Sequence, residues 1–220
     1  MARVLCLHGL GGTADTMAPL VEHLVADGHT VTAPTLPGHG TDPADLIATS
    51  WTTWLDAARS ADPHPDLIVG QSMGATLAFA LAAEGRSTSV VAINPLAADP
   101  DATDGLEWRQ SRGTAWIEVG PSSVAERAYE RLPVEALLAM HEGVASVDLA
   151  AVVVPVLIVT SRLDDVVDPA NSDLVAGALG GAVDRLALGR SGHVATLDVE
   201  RTDLAVAVAD RARAVWRATM

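Results

Sequence analysis

Six short apolar runs, rich in β-branched residues, punctuate the chain at residues 4–7, 30–33, 67–69, 90–93, 156–160 and 185–188. Longer stretches with helical spacing separate them, at residues 14–26, 50–61, 73–83, 169–179 and 203–218, each near a capping residue or a helix-starting proline. Most of these runs are continuously apolar rather than alternating, as in a parallel sheet covered on both faces. Strands of that kind alternating with helices predict an α/β fold: a six-stranded parallel sheet with helices on both faces. One interval, residues 95–153, breaks the alternation and carries no evident strand. It reads as an insertion within a single domain spanning 1–220, with short helices expected at 124–132 and 133–141. Inserts of this length usually form lids or binding elements. Leu106, Trp108 and Trp116 are its candidate apolar anchors.

Composition narrows the class. A chain of 220 residues suits one well-buried domain, and no apolar run approaches the ~18 to 20 residues that a membrane span needs. Met1-Ala2-Arg3 leads directly into the first strand, without the apolar segment of a secretory signal, so a soluble cytoplasmic protein is expected. The single cysteine, Cys6, lies in that strand and reads as a small core hydrophobe. The basic residues are all arginine and the formal charge is −14, a balance that disfavours nucleic acid and polyanionic substrates and leaves small neutral ones. The bias toward Ala, Val, Asp and Arg looks like that of a GC-rich bacterial genome.

The chemistry concentrates at Gly70-Gln71-Ser72-Met73-Gly74, where an apolar run stops and a helical pattern begins. A serine on a sharp strand-to-helix turn is held in strained backbone, and glycines on either side allow close packing around it. The positive end of the following helix favours negative charge there. A serine nucleophile needs a base, and the base needs a carboxylate to orient it. Asp164 follows the fifth run directly, and His193 follows the sixth on a glycine-containing loop. Asp165 is the next candidate acid, while Asp168, before Pro169, reads as a helix cap. Oxyanion donors are expected from the backbone NH of Met73 and of Leu10, in His8-Gly9-Leu10-Gly11-Gly12. His8 itself is expected to brace that loop.

Together with Leu36-Pro37-Gly38-His39-Gly40 and Ser191-Gly192-His193, these motifs resemble the α/β-hydrolase superfamily, specifically its small bacterial carboxylesterase and monoacylglycerol lipase branch. The resemblance covers almost the whole chain. It implies a reduced α/β-hydrolase sheet of order 2-1-3-4-5-6, a cap over an acyl pocket at 95–153, and catalytic Ser72, Asp164 and His193. It further implies an acyl-enzyme, no metal and no organic cofactor. The expected activity is hydrolysis of neutral esters with short-to-medium acyl chains; no partner beyond that small substrate is implied. Thioester, lactone or carbon–carbon hydrolysis and acyl transfer use the same residues, and a non-catalytic ligand-binding protein is a further alternative. Ala75 departs from the second glycine that many relatives carry after the elbow.

Overall fold

The computed structural model describes residues 1–220 apart from Pro121, Ser123, Thr219 and Met220. Six strands form one parallel sheet: β1 (Arg3–Leu7), β2 (Thr30–Thr32), β3 (Leu67–Gln71), β4 (Ser89–Ile93), and, beyond the insertion, β7 (Val156–Ser161) and β8 (Val183–Leu188). Their spatial order is β2-β1-β3-β4-β7-β8. This is the sheet and the order expected from the sequence. Helices α1 (Ala18–Ala26), α2 (Trp51–Ala61), α3 (Met73–Ala83), α6 (Asn171–Ala178) and α7 (Arg201–Ala218) occupy the five helical stretches.

The period of two along each strand divides the interior into two layers. Val4, Cys6, Leu67, Val69, Val91, Ile93, Leu157 and Val159 face α1 and α7, where Leu20, Leu24, Leu204 and Val208 complete one core. Leu5, Leu7, Ile68, Val90, Ala92 and Ile158 face the other way, onto α2, α3 and the insertion. Cys6 is fully buried, and burial pushes its thiol up to about 12, as befits an inert core residue. α3 lies at the centre of the second layer. Its residues from Met73 to Ala82 are all buried, which requires a helix apolar on every side.

The insertion differs from expectation. It contains α4 (Pro100–Ser111), a two-stranded antiparallel sheet of β5 (Trp116–Glu118) and β6 (Arg131–Pro133), and α5 (Val134–Ser146). Of the two short helices expected there, only the second exists, as α5; residues 124–130 are irregular and lead into β6. Strands of three residues are too short for a period-two pattern to register, and α4 buries no residue, so it carries no amphipathic stripe. Nor do the tryptophans anchor a pocket. Trp108 is 65% exposed on α4 with the Arg112 guanidinium over its ring, and Trp116 stacks beneath that of Arg131 at 4.5 Å. Among the described residues, no helix is long and apolar enough to cross a membrane.

Trp54 on α2 joins the layers of this side to the loop after β2. It is fully buried, and its Nε1 donates to the Pro37 carbonyl at 3.1 Å. Trp54→Ala is expected to cost about 3–5 kcal/mol in urea unfolding, and Trp54→Phe about 1 kcal/mol for the lost hydrogen bond and smaller ring. A loss under ~1 kcal/mol for Trp54→Ala would show that this side of the core closes over the cavity.

Candidate active site

Between the last residue of β3 and the first of α3 the chain reverses within a single residue. That residue, Ser72, has φ 54° and ψ −120°, a region that costs a non-glycine residue about 1–3 kcal/mol. The turn is held by packing. A Cβ on Gly70 would lie 2.0 Å from the Gly74 carbonyl oxygen, and one on Gly74 would lie 2.2 Å from that of Leu7. No other residue fits at either position, because the obstructing atoms are backbone. The Ser72 NH donates to Ile93 O at 2.9 Å, tying the turn to β4. Ala75 is fully buried in the second layer without disturbing the turn.

Across the sheet, Asp164 follows β7 and His193 follows β8. His193 Nδ1 lies 2.8 Å from Asp164 Oδ2, and the carboxylate's other oxygen accepts from the backbone NH groups of Val166 and Val167 at 3.0 and 2.9 Å. The Asp164 side chain is 2% exposed and that of His193 14%. An ionised carboxylate can be buried there because both its oxygens are satisfied. The Nδ1 proton faces the acid, which leaves Nε2 as the free face of the ring. Asp165 and Asp168 are both exposed, and Asp168 caps the turn ahead of α6 by accepting from the Ala170 NH. Ser72 and His193 line one cavity of about 570 Å³.

Leu10 lines the same cavity, in the turn Gly9–Gly12 closed by a Gly12 NH to Gly9 O bond of 3.2 Å. Met73 opens α3, so its NH has no partner within its own helix. His8 stands behind the turn, fully buried. Its Nδ1 lies 2.8 Å from Gly9 O, and its Nε2 accepts from the Leu36 NH at 3.0 Å. These two bonds require the neutral Nδ1–H tautomer. Burial, reinforced by neighbouring His39, pushes its pKa down to about 3 despite the bond to Gly9.

Several residues that hold this arrangement carry no motif. Asn94, at φ 47°, sends its Nδ2 to the His193 carbonyl (2.8 Å) and to Ser161 Oγ (3.1 Å), while its Oδ1 accepts from the Ser161 NH (2.8 Å). Thr196 donates to Gln71 Oε1 at 3.1 Å, joining the histidine loop to the residue before Ser72. Glu200, its pKa lowered first by the Arg190 NH and then by Ser191 Oγ, clamps the turn preceding Gly192, whose NH binds Asp198. One signal was available in the sequence. Asparagine ending a strand before Pro95 is a residue type that tolerates positive φ.

A parallel sheet of this order, with a strained serine between β3 and α3 and a buried Asp–His pair beyond it, has the architecture of an α/β hydrolase. The profile of the alpha/beta hydrolase family matches residues 4–209, and the chain belongs to that family. It is 31% identical to a thermostable monoacylglycerol lipase of Bacillus sp. strain H-257, over 90% of this chain and 85% of that protein. A structure reported for the metagenome-derived lipolytic enzymes LipS and LipT superposes with a TM-score of 0.85 at 29% identity, covering 96% of this chain and 93% of that one. The monoacylglycerol lipase of Paleococcus ferrophilus shares the fold, with a TM-score of 0.78 at 18% identity over 97% and 94% of the two chains.

The buried neutral His8 makes stability depend on pH. The unfolded chain takes up a proton at this ring near pH 6.5 and the folded protein only near pH 3. Its contribution is therefore complete above pH 6.5 and lost progressively as the pH falls toward 3. His8→Gln is expected to flatten the fall in unfolding free energy between pH 6.5 and 4 by up to ~1.4 kcal/mol per pH unit. Parallel profiles for the two proteins in urea titrations would refute this.

Proposed function

We propose that this protein is a serine esterase that cleaves neutral carboxylic esters with short-to-medium acyl chains through an acyl-enzyme. The observation that carries the reading is the buried Asp164–His193 hydrogen bond opening onto the same cavity as the strained Ser72. In this reading His193 Nε2 accepts the Ser72 hydroxyl proton as Oγ attacks the ester carbonyl. The oxyanion is held by the NH groups of Leu10 and Met73, the latter at the positive end of α3. As the tetrahedral intermediate collapses, His193 protonates the departing alcohol and Ser72 keeps the acyl group. A water molecule then gives its proton to His193 and attacks the acyl carbonyl; the carboxylic acid leaves as Oγ recovers the proton. Asp164 remains ionised throughout and stabilises the imidazolium. Side chains and backbone suffice for every step, without metal or organic cofactor.

The insertion at 95–153 is proposed as the cap. Its Leu96, Leu132, Leu137 and Met140 supply apolar wall to the cavity, in place of Trp108 and Trp116. A cavity of about 570 Å³ is of ordinary small-molecule size. The likeness to the Bacillus monoacylglycerol lipase and to the lipolytic enzymes LipS and LipT supports lipolytic ester chemistry for this site.

Ser72→Ala is expected to lower turnover of p-nitrophenyl butyrate about a millionfold with folding intact, and a fluorophosphonate probe to label Ser72 alone. Asp164→Asn should cost on the order of ten-thousandfold by favouring the wrong histidine tautomer, whereas Asp168→Asn, still a good capping residue, should be nearly silent. An adduct on another serine, or an active Ser72→Ala protein, would end the assignment.

Across a p-nitrophenyl ester series from acetate to palmitate, Leu137→Phe should depress octanoate relative to acetate, since each methylene accommodated is worth about 1–3 kcal/mol of discrimination. Parallel loss on both esters, or a wild-type preference for palmitate, would remove the insertion as the wall that measures the acyl chain.

A further inference from the structure

The turn Gly9–Gly12 is mostly glycine and has little side-chain packing of its own, yet it must hold an amide at a fixed point above Ser72. Its neighbours are arranged in a ladder. The loop after β2 runs beside it, joined by the Leu36 NH on His8 Nε2 and by the Ala14 NH on Thr35 Oγ1 at 3.2 Å. His39 of that loop sets its ring edgewise against His8, with centroids 4.9 Å apart. Its Nδ1 lies 3.0 Å from Pro37 O, while its Nε2 is buried without a hydrogen-bond partner.

Tyr129, from the irregular stretch of the insertion, closes both loops at once. Its backbone NH donates to Gly11 O at 3.0 Å. Its phenol donates to Gly38 O at 2.9 Å and accepts from the Thr41 NH at 3.1 Å. Its ring lies nearly parallel to that of His39, 10° from coplanar at 6.5 Å. Three residues on, Leu132 Cδ2 stands 3.0 Å from where a Cβ on Gly11 would be. A single residue of the insertion thus bonds to the glycine turn directly and to the loop that braces it from behind, and it also lines the cavity.

We propose that Tyr129 is a positioning residue for the oxyanion turn, so that seating of the insertion on the sheet domain holds the Leu10 amide where negative charge develops. The insertion then does two things: it walls the cavity, and it completes the transition-state site. This rests on the esterase reading above. It goes beyond that reading in making catalytic geometry depend on a tyrosine that takes no part in the proton transfers. The phenol bonds Gly38 and Thr41, so its loss should register in the rate of the chemical step rather than in substrate affinity.

The test compares Tyr129→Phe and Tyr129→Leu with the full-length wild-type protein on p-nitrophenyl butyrate, with active sites counted by fluorophosphonate titration so that any unfolded fraction is excluded. Tyr129→Phe keeps the ring and removes two hydrogen bonds. Its kcat should fall about tenfold, a tenth or less of the effect of deleting an oxyanion donor outright, with KM within twofold. Affinity for a trifluoromethyl ketone analogue, which forms a tetrahedral adduct on the serine, should fall by the same factor. Affinity for the corresponding methyl ketone should stay within twofold. Tyr129→Leu, which also loses the stacking on His39, should fall further in kcat. The proposal is overturned if Tyr129→Phe keeps wild-type kcat and trifluoromethyl ketone affinity, or if both ketones weaken equally, the signature of a mere cavity wall. Ser72→Ala serves as the separate control: turnover surviving in it would fail the esterase reading itself, whatever Tyr129→Phe does.

Discussion

Backbone-to-backbone contact between α3 and the strands beneath it governs this molecule. The Gly74 carbonyl occupies the space that a Cβ on Gly70 would need, and Gly74 in turn lies against the Leu7 carbonyl. Only at that separation can one residue, Ser72, turn the chain from strand to helix. The strain at φ 54° is sustained because burial over-determines it: β3 and α3 are enclosed almost completely, and the Ser72 NH is fixed to β4. A helix with no exposed face cannot slide or rotate to relieve the turn. The serine is therefore held above the sheet by the same packing that stabilises the domain.

The rest of the site is assembled at the same edge by side chains that bridge one strand end to the next. Asn94 spans β4, β7 and the histidine loop; Thr196 returns that loop to Gln71; Asp198 and Glu200, just ahead of α7, grip the turn from which His193 emerges. In a protein of formal charge −14, buried carboxylates are an expense that needs compensation, and Asp164 has it in full from two amides and an imidazole. Histidine 8 takes the opposite course and is kept neutral, so that one ring nitrogen can donate while the other accepts. The two loops it joins behave as one layer, against which Tyr129 and Leu132 of the insertion are seated.

The fold was legible in the sequence because a doubly covered parallel sheet writes itself as continuous apolar runs, and a helix writes itself as a period of 3.6. Apart from the partly exposed edge strands β2 and β8 and the uniformly buried α3, the strands and helices of the sheet domain follow that rule. The insertion does not. Helix α4 lies on the surface and buries nothing, and β5 and β6 are only three residues each, so neither leaves a periodic trace. Of the tryptophans that read as pocket anchors, Trp108 turns outward and Trp116 pairs with Arg131, since nothing local dictates which neighbour a large side chain finds.

The local sequence marked the elbow, because Gly70 and Gly74 allow the close backbone packing that a one-residue turn needs and the residue between them lines the cavity. Strand ends likewise marked Asp164 and His193 as candidates, because loops after parallel strands converge on one edge. What the chain could not specify was which side chains lace the loops together and what walls the cavity. Asp164, Asp165 and Asp168 differ by one to four positions in sequence but by their orientation in a loop whose path is decided by Val166 and Val167 amides, Ser161 and Asn94. Contacts such as Gln71 with Thr196, or Tyr129 with Gly11 and Gly38, join residues far apart along the chain, and only the closed tertiary structure brings them within hydrogen-bonding distance.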